Sequence, residues 1–367
     1  MKIGFFGSSL VSSYWNGAAT YYRGLLKNLA ALGHQITFYE PDAYGRQQRR
    51  DMADPPWARV VVYPATEDGW RRALEQGARE ADFLVKASGV GVFDAELESA
   101  VVDARRPGAI CAYWDVDAPA TLDAMQADPA HHLRAQVPRF DLVLTYGGGD
   151  PVVSAYRALG ARSCVPIYNA VDPDTHHPAP PHAGWNHDLG FLGNRLPDRE
   201  ARVEEFFLRA AALLPHRRFL LGGSGWETKQ LSPNVEHLGH VGTADHNSFF
   251  CSPLATLNIN RESMARYGFS PPTRVFEAAG AGACLLTDEW IGIELFLEPE
   301  REVLVARDGE AVASLLDGLD EAKARRIGEA GRAKILARHT YAHRARQVCD
   351  LLDAYARKGG IEAGAAA

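Results

Sequence analysis

The sequence predicts an α/β protein of two domains, each a mainly parallel sheet with helices on both faces. Three observations carry that reading. Short apolar stretches alternate with amphipathic ones along most of the chain, the pattern of successive βαβ units. At 367 residues the chain exceeds what one core ordinarily supports. Residues 172–185, DPDTHHPAPPHAGW, hold several prolines and histidines without apolar periodicity, which reads as a linker.

In chain order, residues 2–7 form an apolar strand ending in Gly7-Ser8-Ser9. A polar loop reaches Gly17, an amphipathic helix covers 19–32, Gly33 provides its C-cap, and 35–39 is the next strand. Further strands are expected at 59–63, 83–86, 109–114, 142–145 and 163–167, with helices at 70–81 and 151–159. In sheets of this kind ligands bind beyond the C-terminal strand ends. Ser9, Asn16 and Gly17 fall there, as do Lys86, Asp115, Asp117, Asp150 and Asn169. For any one of these loops ordinary turn chemistry is the cheaper explanation; five on one edge favour a ligand cleft.

The second half repeats the pattern. A strand at 189–192 leads into Gly193-Asn194-Arg195 and a helix over 198–214. A strand at 218–221 ends in Gly222-Gly223-Ser224-Gly225-Trp226. An extended piece at 235–241 includes His240 and Val241, and a strand at 255–259 ends at Asn260. Residues 267–289, YGFSPPTRVFEAAGAGACLLTDE, then place a helix start near Pro271 or Thr273. Arg274 and Glu277 lie in its first turns, where unpaired N–H groups and the helix dipole favour an anion. On these residues alone, a nucleotide-diphosphate cradle and an ordinary βαβ unit with a dipole-complementing Glu277 are both open. A last helical region over 310–338 breaks at His339-Thr340-Tyr341, and Thr340 caps a helix through 357.

Composition narrows the function classes. A net charge of −7 without a basic run gives no reason to expect nucleic acid. The five cysteines are scattered, with neither metal nor redox spacing, as expected of a reduced cytoplasmic protein. The N-terminus lacks the layout of a signal peptide. No stretch nears the ~18 apolar residues of a transmembrane helix, although peripheral membrane contact stays open. His176, His177 and His182 sit in the linker without a rigid scaffold, and no metal is expected.

Taken together, several elements resemble a GT-B glycosyltransferase, and most of all the group related to the spore-maturation protein CgeB. They are Phe191-Leu-Gly-Asn194 with Asp198-Arg199-Glu200, Gly223-Ser-Gly225-Trp226, Leu238-Gly-His240-Val241, Asn258-Ile-Asn260-Arg261, Arg274-Val-Phe-Glu277-Ala-Ala-Gly280, and His339-Thr-Tyr341 with Arg344-Ala345. Tyr168-Asn169-Ala-Val-Asp172 resembles the element at the interdomain crossing of such enzymes. The resemblance implies two Rossmann-like domains with parallel sheets facing across a cleft: an acceptor-side domain over 1–170, a linker over 171–187 and a donor domain over 188–338. It also implies a C-terminal helix over 339–358 that returns to the first domain, before a disordered tail over 359–367.

By the same resemblance the donor is a nucleoside-diphosphate sugar and the reaction a metal-independent glycosyl transfer without cofactor. The acceptor stays unidentified: a glycan, natural product, lipid or protein. Glu277 would accept from the ribose hydroxyls, and Thr273 and Arg274 would face the diphosphate. Gly193, Asn194, Arg195, Arg199, Gly223, Ser224, Trp226 and Asn260 would complete the donor site, with His240 and Val241 against the base. Retaining members carry a carboxylate seven intervening residues before Glu277; here that place is Phe269, which leaves inverting or retaining chemistry undecided. An inverting reaction needs a general base, for which Asp115 and Asp117 are the candidates, and Ser9, Asn16, Gly17, Lys86, Asp150 and Asn169 would serve the acceptor or the interdomain region. Alternatives are a non-catalytic nucleotide-sugar-binding protein and, less favoured because G-x-G-x-x-G spacing is missing, a dinucleotide-dependent oxidoreductase.

Overall fold

The computed structural model describes residues 1–14 and 16–365, with side chains in the terminal helix described as far as Arg357. The tail expected over 359–367 therefore lies outside the described side chains. The chain divides into two compact units: Met1–Tyr168 joined by the segment from Tyr341 onward, and Asn169–Thr340.

In the first unit, the strands among the described residues are β1 (Lys2–Phe6), β2 (Gln35–Asp42), β3 (Ala58–Pro64), β4 (Phe83–Ala87), β5 (Ile110–Asp115), β6 (Leu142–Thr145) and β7 (Cys164–Pro166). They form one parallel sheet in the order β3-β2-β1-β4-β5-β6-β7. The connection reverses between β1 and β4, which opens a crevice at their C-terminal ends. Strands buried on both faces read as continuous apolar runs, and β4 and β5 are buried at every position. Aromatic rings knit this core: Phe5 stacks on Phe38 at 5.4 Å, and Trp114 donates to Tyr21, which donates to the Ile167 carbonyl.

The helix Ala19–Ala31 packs against the terminal helix Tyr341–Ala365. Gly24 permits that approach, because a Cβ there would stand 2.1 Å from the Tyr341 ring. Helices Asp94–Ala104, Ala118–Ala127 and His132–Gln136 fill intervals for which periodicity gave no helix. The first two have weak amphipathic character, so burial by the sheet rather than a polar-apolar stripe decides them.

In the second unit β8 (Leu189–Leu192), β9 (Phe219–Gly222), β10 (Val235–Gly239), β11 (Ala255–Asn258), β12 (Leu285–Asp288) and β13 (Leu304–Ala306) form a parallel sheet ordered β10-β9-β8-β11-β12-β13. Its reversal lies between β8 and β11. The expected helix over 198–214 is interrupted by a π segment at Glu204–Leu208, between Pro197–Val203 and Arg209–Leu213. The linker expected over 171–187 packs on this unit along much of its length. Val171 bridges to Thr340, Gly280 leaves room for the Val171 side chain, and His176 is buried.

Candidate functional site

The sequence-predicted donor residues gather at the C-terminal edge of the second sheet, around its reversal. Two loops are zipped together by their backbones: Gly193 N donates to the Gly222 carbonyl at 2.9 Å, and Arg195 N to that of Ser224 at 2.9 Å. Ser224 N donates to the Asn194 side chain at 3.0 Å. Gly223 is required here twice over. Its φ of +124° lies in the region that favours glycine, and a Cβ would stand 2.3 Å from the Gly193 oxygen. Trp226 is buried and donates from its indole to the Gly193 carbonyl, so it holds the loop instead of offering a ring to a base. Val241 is buried beside Gly222, and His240 is exposed.

The helix Thr273–Gly280 starts where proline placed it. Asn169 donates to the Pro271 carbonyl at 3.1 Å and fixes the approach to that start. Glu277 is buried, 3.6 Å from the Arg274 guanidinium and 4.0 Å from His176 Nε2. Burial alone would raise its carboxyl; the charges of His176 and Arg274, with a hydrogen bond from Thr273, hold it below the ordinary range. Burial and the Arg274 charge push the His246 imidazole down to about 4, which leaves it neutral near pH 7.

His176, His246 and Glu277 bring one ligand atom each within 4.8 Å of one another, a grouping able to hold a cation. Arg274 already places a positive charge against the same carboxylate. Both histidines escaped the sequence reading: His176 looked like part of a polar linker, and His246 lies 31 positions from Glu277 (277 − 246).

Arginine crowds this edge. Arg199 lies above Gly193 and donates to the Asn194 carbonyl at 2.6 Å. Burial first, and then the charges of Arg274 and Arg261, lower its guanidinium to about 10. Enclosed donors without a hydrogen-bond partner include Arg199 Nε, Arg202 Nε, Asn260 Nδ2 and Arg274 Nη1, the last within ion-pair distance of Glu277. Unpaired buried donors of this kind are costly, and an anionic ligand would satisfy them. Arg195 differs from its expected role, because Glu200, Thr228 and the Gly225 carbonyl take its donors. Arg202 was not foreseen. It pairs at 2.6 Å with the fully buried Asp288, which also accepts from Asn260 N.

On the first sheet several expected contacts are internal ties. Lys86 has no exposed surface and is held by Asp94 at 2.6 Å and Glu98 at 3.4 Å, which removes it from acceptor contact. Ser9 donates to the buried Glu40 at 3.0 Å, and Asn16 bridges Ser8, Ser9 and Ser12. Gly17 and Asp150 are exposed.

Asp115 is likewise enclosed. Tyr156 donates to it at 2.5 Å, and Asp117 N and Thr121 Oγ1 donate at 3.0 Å each. Burial lifts its carboxyl to about 6 against these hydrogen bonds. A carboxylate without accessible surface cannot take a proton from an acceptor, so the structure removes Asp115 from the base role. Asp117, two residues on, is half-buried at the start of the helix Ala118–Ala127.

The two parallel-sheet α/β units, of seven and six strands among the described residues, match the architecture of GT-B glycosyltransferase structures. Residues 199–350 match the family described as glycosyl transferase-like. The whole chain is similar in fold to a sucrose-phosphate synthase from Thermosynechococcus elongatus, with a TM-score of 0.71 at 14% identity, covering 97% of this chain and 99% of that one. It is also similar to Anabaena HepE in complex with UDP-glucose, with a TM-score of 0.65 at 15% identity, covering 96% and 100%. An α-glucosyltransferase in complex with UDP-glucose and DNA containing an abasic site matches with a TM-score of 0.69 at 12% identity, covering 96% and 99%. No curated protein matches the chain.

Proposed function

We propose that the protein is a CgeB-like, metal-independent glycosyltransferase that uses a nucleoside-diphosphate sugar. The carrying observation is the second sheet's edge, where enclosed arginine donors without hydrogen-bond partners surround a helix start and an ionised Glu277. In this reading Glu277 accepts from the ribose diol, while Arg199 and Arg274 bond the diphosphate and stabilise the leaving-group charge with the helix dipole. That cationic pair takes the part a metal ion would play. HepE holds UDP-glucose in its structure, which makes UDP-sugars the first donors to try.

Asp117 is the proposed general base, and Asp115 positions it through the bond from its backbone N–H. The free cysteines fit a reduced, cytoplasmic setting, and no helix among the described residues is long and apolar enough to cross a membrane.

A thermal-shift panel of UDP, GDP, dTDP, CDP and ADP tests the reading. A ligand confined to the folded state raises stability by RT ln(1 + [L]/Kd), about 2.7 kcal/mol at a hundredfold excess over Kd. Silence from all five at millimolar concentration would overturn it. Slow hydrolysis of the matching sugar nucleotide separates an enzyme from a protein that only binds.

A further inference from the structure

The crevice at the reversal of the first sheet contains a charge that the internal ties do not answer. Arg46 follows β2 and reaches across the ends of β1 and β4, donating from Nη1 to the Ser8 carbonyl at 3.2 Å and the Val90 carbonyl at 3.4 Å. The residue is 7% exposed, and its Nε is enclosed without a partner. Five N–H donors thus share two carbonyls, and among the described residues no carboxylate lies within ion-pair distance.

The nearby acids are committed elsewhere. Glu40 accepts from Ser9, Leu10 N and Gln47, and Asp94 accepts from Lys86, Val90 N and Gly91 N. Glu98 is held by Lys86 and His132. Burial pulls the Arg46 guanidinium below its ordinary value, as expected of a cation kept from water without a counter-ion.

Strain marks the same place. Tyr44 and Phe93, on the loops after β2 and β4, have φ of 57° and 55°, a conformation costly for side-chain-bearing residues. The Tyr44 hydroxyl donates to the Gly91 carbonyl at 2.5 Å, and its ring centroid lies 5.0 Å from the Arg46 guanidinium carbon. Tyr44 as a residue remains 57% exposed, an aromatic side chain at the surface beside a buried cation. A sugar ring packs on such a face, while a guanidinium fork matches an oxyanion.

We propose that Arg46 and Tyr44 form a subsite for an anionic sugar, the acceptor on the glycosyltransferase reading, which this inference rests on. The recognised chemistry is an oxyanion on a pyranose or furanose, supplied by a phosphate ester or a carboxylate.

The test is calorimetric titration of the full chain, with UDP saturating the donor site, using glucose 6-phosphate, glucuronate and neutral glucose as probes. One or both charged probes bind, glucose binds at least about tenfold more weakly, and Arg46→Gln removes the difference. Whether the phosphate or the carboxylate probe binds names the source of the anion. Arg46→Lys keeps the charge without the fork and recovers part of the affinity. An unchanged UDP response in both variants shows that the fold is intact. Equal binding of glucose and the charged probes, or charged-probe binding indifferent to Arg46→Gln, overturns the proposal, as does binding by none of the three. Failure of the donor reading appears separately, as no UDP response in the parent protein; the probes are then titrated without UDP, and the same outcomes decide the Arg46 subsite.

Discussion

Replacing Asp115 with asparagine separates a buried positioning acid from a catalytic one. In the folded protein burial lifts this carboxyl from 3.8 to about 6, so folding favours its protonated form. The stability associated with that form is fully present below pH 4 and is lost as pH rises through 6. Two units at 1.36 kcal/mol each give about 3 kcal/mol, an order-of-magnitude figure, between pH 4 and pH 7. Asparagine does not titrate, and its amide oxygen still accepts from Thr121 and Asp117 N. The assay is urea unfolding of the parent and Asp115→Asn proteins across that range. The difference between their free energies should swing by about 3 kcal/mol in favour of the variant as pH rises. Parallel pH profiles would refute the burial argument. Sugar transfer at pH 7 gives the second readout: Asp115→Asn keeps measurable kcat, whereas Asp117→Asn loses about a hundredfold or more.

Other perturbations follow from the second sheet. Glu277→Ala should abolish the nucleotide-dependent thermal shift, and an unchanged shift would place the ribose elsewhere. Gly223→Ala drives a methyl toward the Gly193 oxygen at a positive φ, so it should cost about 2 kcal/mol or more and weaken nucleotide binding together. Arg202→Met strands the buried Asp288 and should destabilise the protein by about 3 kcal/mol in denaturant titration. Adding Asp288→Asn should restore part of that loss, and a simple sum of the two single effects would mean that the residues are not coupled.

The sequence determined the architecture. Apolar strands such as 83–86 and 142–145 alternate with helical stretches at a period set by backbone geometry, and that alternation admits few folds besides parallel α/β sheets. The helix start at Thr273 was equally legible, because proline restricts the backbone locally. Glycine spacing marked the loops at 193 and 222–225 for the same reason.

Tertiary structure alone decided which polar residues remain available to a ligand. Lys86, Asp115 and Arg195 stand at or beside C-terminal strand ends as working site residues do, yet Asp94 and Glu98 hold the first, Tyr156 the second, and Glu200 and Thr228 the third. Arg46 shows the converse. Nothing in its neighbourhood along the chain marks it, and only the meeting of three strand ends leaves its donors unanswered. Burial is decided by contacts between segments far apart in the chain, and even the near pairs, Lys86 with Asp94 and Arg195 with Glu200, form only where the folded strand ends bring them together, so no local pattern encodes them.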